Sequence, residues 1–185
     1  MRGEMSKIQL YHCIDARSFR VLWALEALTV PYDLHVLAFP PRFADPSYLE
    51  VNPLGTIPFL IDGETHMTES SAICHYLAEK YGKGLSVAMN EPDYGRYLNF
   101  LHFGETTLTV PQTLILRYSK LEPLDRQSPQ IVEDYTRWFF ARLKGLQAGL
   151  KGRTYLCANR FTAADISVGY ALMLAEIMRH SLLDS

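Results

Sequence analysis

Three short stretches of the 185-residue chain carry residue types that could do chemistry. The first is Val51-Asn52-Pro53-Leu54-Gly55-Thr56-Ile57-Pro58-Phe59-Leu60, a loop rich in Asn, Pro and Gly that runs straight into an apolar strand. Proline is tolerated at the first position of a strand because no ladder N–H is needed there. With a trans Ile57–Pro58 bond this is an ordinary loop end. With a cis bond the Ile57 backbone turns outward, and its N–H and C=O could pair with an extended peptide as an added strand would. The second stretch is Met67-Thr68-Glu69-Ser70-Ser71-Ala72-Ile73. Ser70 opens a helix, where amide, hydroxyl and helix dipole together suit a carboxylate. Glu69, just outside, could hold an ammonium group, so the pair fits an amino-acid headgroup. Taken alone, the stretch is better read as an N-cap, Ser70, beside a solvated charge, Glu69. The third is the strand-to-helix turn Tyr11-His12-Cys13-Ile14-Asp15-Ala16-Arg17-Ser18-Phe19-Arg20. Ser18 at the helix start, or Tyr11 at the strand end, could donate to a bound thiolate, and Cys13 could form a mixed disulfide with a bound thiol. The plain structural alternatives are an N-cap, a core aromatic and a small hydrophobe. His12 reads as a surface residue, since nothing near it in sequence orients it.

The elements that must position these stretches follow from periodicity. Lys7–Tyr11 reads as a strand, and Ser18 onward as a helix with Val21, Leu22, Leu25 and Leu28 on one face. Tyr32–Leu37 is a second strand, Phe39–Asp45 a proline-containing loop, and Ser47–Val51 a short helix. Phe59–Ile61 and Thr65–Met67 form a hairpin around Asp62-Gly63. Ser70–Tyr81 is a helix with Ile73, Tyr76, Leu77 and Tyr81 on its buried side, ended by Gly82 and Gly84. The order β-α-β-(α)-β-β-α predicts a mixed sheet with helices packed on it.

Beyond the linking stretch Gly82–Glu91 no strand pattern recurs. Pro92–Tyr118 reads as a helix kinked at Pro111, with Tyr94, Tyr97, Leu101 and Leu108 as its stripe. Pro129–Leu150 carries Val132, Tyr135, Phe139, Leu143, Leu146 and Leu150 at helical spacing, and Thr162–Met178 carries Ile166, Tyr170, Met173 and Ile177. Thr162-Ala163-Ala164-Asp165 has the form of a capping box, with Phe161 and Ile166 placed as a hydrophobic staple, which leaves Asp165 no need of a catalytic role.

Composition removes several function classes. A net charge of −2 gives no global positive field for nucleic acid or an anionic membrane surface. No apolar run reaches transmembrane length, and Met1-Arg2-Gly3-Glu4 leads into the first strand without a signal-peptide core. The three cysteines, Cys13, Cys74 and Cys157, are sparse, odd in number and far apart, which argues against a disulfide scaffold and suits the cytoplasm. No His or Cys spacing predicts a metal site.

Four stretches in this order resemble the cytosolic glutathione transferase superfamily, in the manner of its bacterial members. They are Arg17-Ser18-Phe19-Arg20-Val21-Leu22-Trp23-Ala24-Leu25-Glu26, Asn52 through Leu60, Thr68 through Ile73, and Phe161-Thr162-Ala163-Ala164-Asp165-Ile166. The resemblance implies an α/β thioredoxin-like N-terminal domain over residues 5–82 and an all-α C-terminal domain over 92–185. Members usually continue for another helix or two, so it also implies that the helical domain is truncated at Ser185.

Carried onto this chain, the resemblance makes Pro58 the cis proline, pairs the Ile57 backbone with the cysteinyl part of glutathione, and gives Glu69 and Ser70 the γ-glutamyl headgroup. Many members have Lys or Gln at the position of Thr56, reaching the glycyl carboxylate, and Thr56 is shorter. Tyr11, Cys13 and Ser18 are candidates for contact with the sulfur, of which one is expected to serve. Phe39, Tyr97, His102 and Phe103, with Phe43, Tyr94 and Thr107 beside them, are expected to line a pocket for a hydrophobic electrophile between the domains. Roughly half of these are expected to be plain core, because a helix packed on helices buries its stripe. The implied activity is conjugation of the glutathione thiol, in a cytoplasmic homodimer with no metal. A glutathione-dependent thiol-disulfide reductase working through Cys13, and a non-catalytic binding module of the same fold, are the alternatives.

Overall fold

The computed structural model describes residues 7–183, with the backbone alone of 180–183. The Met1-Arg2-Gly3-Glu4 start, the domain start at residue 5 and the domain end at residue 185 lie outside the described residues. The chain divides into two compact units between Ser86 and Val87, inside the stretch read as a linker.

The first unit runs β1 (Ile8–His12), α1 (Phe19–Leu28), β2 (Tyr32–Val36), α2 (Pro41–Ala44), α3 (Tyr48–Val51), β3 (Phe59–Asp62), β4 (Thr65–Met67) and α4 (Ser70–Tyr81). Its sheet has the order β2-β1-β3-β4. The α1 crossover makes β1 and β2 parallel, and the remaining pairings are antiparallel. This is the mixed sheet expected from the element order and the thioredoxin-like arrangement that the resemblance implies. The stretch Phe39–Asp45 is not simply a loop, because it holds α2. Pro41 opens that turn, where a missing N–H costs nothing, and Pro40 accepts from Phe43 and Ala44.

Leu10 and Leu60 from the sheet, Val21, Ala24, Leu25 and Leu28 from α1, and Ile73 and Leu77 from α4 form the buried core. Their spacing of three and four puts each helical set on one face. Tyr76 and Tyr81 do not join it. They lie half-buried along the second half of α4, where their hydroxyls donate to the Asp62 carboxylate at 3.0 and 2.8 Å, beside Lys80 Nζ at 2.7 Å. A tyrosine ring covers apolar surface well but its hydroxyl needs a partner, and Asp62 at the end of β3 supplies one. Burial pushes the Asp62 carboxyl up, yet the bonds from Lys80, Tyr81 and Tyr76 outweigh it and hold the group below its ordinary range.

The second unit is all helical: α5 (Tyr94–His102), a π-helical segment (Phe103–Thr109), α6 (Val110–Leu116), a second π-helical turn (Arg117–Leu121), a 3-10 turn (Leu124–Arg126), α7 (Pro129–Leu150) and α8 (Ala163–Leu183). The region expected as one helix kinked at Pro111 is thus widened into π-turns on either side of α6. Pro111 lacks the N–H that the preceding turn would use. Ser167 of α8 donates to the Leu101 carbonyl at 2.7 Å, and Thr109 to the Gly104 carbonyl at 2.7 Å. A Cβ at Gly104 would sit 2.4 Å from Ser167 Oγ and 2.5 Å from its backbone, so only glycine lets this segment approach α8 so closely.

The Asp165 carboxylate accepts from the Thr162 amide at 2.9 Å, as a capping box requires, and from the Leu156 amide at 2.9 Å. The reciprocal half differs. The buried Thr162 hydroxyl donates to the same carboxylate at 2.9 Å, and the Asp165 amide goes to the Thr162 carbonyl at 3.0 Å. A carboxylate is the stronger acceptor, so it takes the hydroxyl hydrogen.

Candidate functional site

The β3–β4 register brings two of the three sequence stretches to one place. Leu60 pairs with Met67. The Ile57–Pro58 bond is cis, so the plain trans loop end is set aside. Phe39–Pro40, unremarked in the sequence, is cis as well. The exposed Thr56 presents a carbonyl held by two donors, the Tyr48 hydroxyl at 2.8 Å and Asn52 Nδ2 at 2.8 Å. Asn52, itself buried, also accepts from the Leu54 amide at 3.2 Å through Oδ1 and from the Gly55 amide at 2.8 Å through its carbonyl. Gly55 has φ +59°, and a Cβ on it would lie 2.7 Å from Arg42 Cβ and 2.9 Å from Leu49 Cδ2. Both conformation and space therefore demand glycine immediately before Thr56.

Ser70 is the first residue of α4, with Glu69 as the exposed residue outside it. The N-cap alternative for Ser70 is thereby excluded by one position. Ser70 is 4% exposed, and its Oγ lies 3.2 Å from Nη1 of Arg20, which is completely buried on the core-facing side of α1.

The β1–α1 turn is arranged differently from expectation. Ser18 is already helical, at φ −61° and ψ −18°, and caps nothing. Fully buried, it accepts from the Cys13 amide at 3.2 Å and lies 2.8 Å from His12 Nδ1 and 3.3 Å from the Cys13 carbonyl. His12 is therefore not a surface residue: it is buried and oriented by a serine six residues on. Burial lowers its pKa against the opposing pull of Asp15. Cys13 is fully enclosed, its thiol turned to the Ala38 carbonyl at 3.7 Å, and burial pushes the thiol up. Tyr11 is half-buried, stacked on His35 with ring centroids 4.5 Å apart.

On the second unit, Gly95, Leu98, Asn99, His102, Phe103, Thr106 and Thr107 line an open cleft of about 420 Å³. His102, Phe103 and Thr107, expected in a pocket between the domains, line this cleft of the second unit. Tyr97 does not. It is a fully buried core residue of α5. Phe39 lies in the first unit, more than half exposed.

Residues 16–80 match the family model for the glutathione S-transferase N-terminal domain. Glutathione S-transferase 1 of Schizosaccharomyces pombe is 31% identical over 165 residues, covering 84% of this chain and 70% of that protein. The chain belongs to the glutathione transferase family. Glutathione S-transferase 3 of the same yeast is 27% identical over 183 residues, covering 91% of this chain and 74% of that protein. A glutathione transferase family member from Pseudomonas fluorescens, crystallised with two glutathione bound, matches with a TM-score of 0.82 at 25% identity, over 98% of this chain and 82% of that one. The matched N-terminal stretch of this transferase holds Ser18, Arg20, Thr56, Ile57, Pro58, Glu69 and Ser70, while Tyr11 and Cys13 precede it. Sequence reasoning missed Arg20, Tyr48, Asn52 and His12. Only Arg20 left a signal, as a charge beside Val21, Ala24 and Leu25 on the apolar face of α1.

Proposed function

We propose that this glutathione transferase conjugates the thiol of glutathione to a hydrophobic electrophile. The pairing of Leu60 with Met67 carries the reading, because it joins the end of the Asn52–Leu60 stretch to the start of the Thr68–Ile73 stretch, so that one ligand can meet both. The γ-glutamyl carboxylate meets the Ser70 hydroxyl and the positive end of α4, and the exposed Glu69 carboxylate holds the ammonium. The Ile57 backbone pairs with the cysteinyl unit in the manner of an added strand. Thr56 offers a short hydroxyl toward the glycyl end.

The thiolate sulfur attacks the electrophilic carbon, a thioether forms, the leaving group departs with its electron pair, and the thiol proton goes to solvent. A lowered thiol pKa and proximity supply the rate. Ser18 and Cys13 are enclosed, so this reading gives the thiolate contact to the half-buried Tyr11. The cleft at His102, Phe103 and Thr107 is the proposed place for the apolar part of the electrophile. A thiol-disulfide reductase would need Cys13 as a reactive thiolate. Its burial and raised pKa are the reverse of that, which favours conjugation. A cytoplasmic homodimer belongs to the same reading.

Calorimetric titration with glutathione, followed by assays with 1-chloro-2,4-dinitrobenzene and with a glutathione mixed disulfide, tests it. Binding and conjugation are expected, with conjugation unchanged in Cys13→Ser. Absence of glutathione binding refutes the reading, and disulfide reduction that collapses in Cys13→Ser replaces it with the reductase.

A further inference from the structure

Arg20 is a fully buried cation among apolar residues on one face of α1. A buried guanidinium is costly unless its donors are used. One of them, Nη1, lies 3.2 Å from Ser70 Oγ. A guanidinium can only donate, so the Ser70 oxygen accepts and its own hydrogen points away from Arg20. Among the described residues the Ser70 side chain makes no other hydrogen bond. That hydrogen thus belongs to a side chain that is 4% exposed, at the first position of a 12-residue helix whose dipole favours an anion.

We propose that Arg20 is a positioning residue for glutathione: from inside the core it fixes the Ser70 hydroxyl as a donor aimed at the γ-glutamyl α-carboxylate. The inference rests on the glutathione reading of Glu69 and Ser70. Arg20 does not touch the ligand. A freely turning hydroxyl must be ordered when the carboxylate arrives. One locked at its oxygen by a buried, rigid donor is already ordered, so that part of the cost of binding falls away. The guanidinium also adds positive potential to the start of α4 from a low-dielectric position, where it is little screened.

The test compares calorimetric affinities of the full chain for glutathione and for 4-aminobutyryl-cysteinylglycine, which lacks only the γ-glutamyl α-carboxylate. The unaltered chain is expected to prefer glutathione by about tenfold or more, as for a hydrogen bond to a charged group. Ser70→Ala and Arg20→Met are both expected to lose that preference while binding the decarboxylated ligand as before. A structural defect alone would weaken both ligands alike, so an Arg20→Met chain that keeps the preference overturns the proposal. If Ser70→Ala keeps it, or the unaltered chain never shows it, the headgroup reading itself fails. Should Arg20→Met not fold, the Arg20 guanidinium resonance of the unaltered chain decides. Saturation with glutathione is expected to shift it and the decarboxylated ligand to leave it in place, and equal behaviour with both ligands overturns the proposal.

Discussion

The Thr56 carbonyl is the fixed point of the loop that presents Ile57, and its two donors make a sharp prediction. Asn52→Ala removes one of them and also the acceptor of the Leu54 amide. Leu54 is 63% exposed, so water can reach that amide and the loss stays at the lower end, about 1 kcal/mol. The Thr56 carbonyl keeps the Tyr48 hydroxyl at 2.8 Å, so the second lost bond costs about 1 kcal/mol more. Asn52→Ala is therefore expected to destabilise by about 2 kcal/mol, and Tyr48→Phe, which leaves Asn52 in place, by about 1 kcal/mol. The double variant differs in kind, because the part-buried carbonyl then has neither donor and bears a desolvation penalty. Its loss is expected to exceed the sum of the singles by about 1 kcal/mol. Urea unfolding of the four chains measures this coupling, and glutathione titration of the same samples reports whether Ile57 has moved. Additivity within about 0.5 kcal/mol, or a double variant that binds glutathione like the unaltered chain, refutes the shared-acceptor account.

Three further outcomes are expected. Asp165→Ala strips the acceptor from the Leu156 and Thr162 amides and the Thr162 hydroxyl, and should cost about 3 kcal/mol in thermal or urea unfolding; a loss under about 1 kcal/mol refutes the cap. The Glu91 carboxyl is held down to about 2, first by the paired bonds from Arg160 and then by the Ala88 amide. A depressed folded pKa gives stability that is complete above the ordinary value of 4.5 and is lost as pH falls from there toward 2. Glu91→Gln should flatten stability against pH across that window, and an unchanged acid slope counts against the pairing. Tyr11→Phe should lower kcat with chlorodinitrobenzene by about tenfold or more and raise the kinetic pKa of bound glutathione, whereas Ser18→Ala should lower stability first; the reverse pattern moves the thiolate contact to Ser18.

Local patterns were enough for much of this protein. The order of strands and helices, the bounds of α7, and the start of α8 at a Thr–Asp cap all follow from spacing and capping chemistry within a few residues. The Asn52–Leu60 and Thr68–Ile73 stretches stood out in the same way, and their order within the β-α-β-β-α pattern carried the family resemblance. Tertiary structure decided what those stretches have to work with. The Arg20–Ser70 bond joins residues 50 apart and the Ser167–Leu101 bond residues 66 apart, so no local pattern contains either of them. The second of these lies beside the π-turn where one kinked helix was expected, because close approach to α8, set by Gly104, outweighs the local preference for an α-helix. Ser18 had the residue type and position of a helix cap. Burial turned its hydroxyl inward to His12 and Cys13 instead, since a buried polar group must take its partner from whatever the fold packs around it.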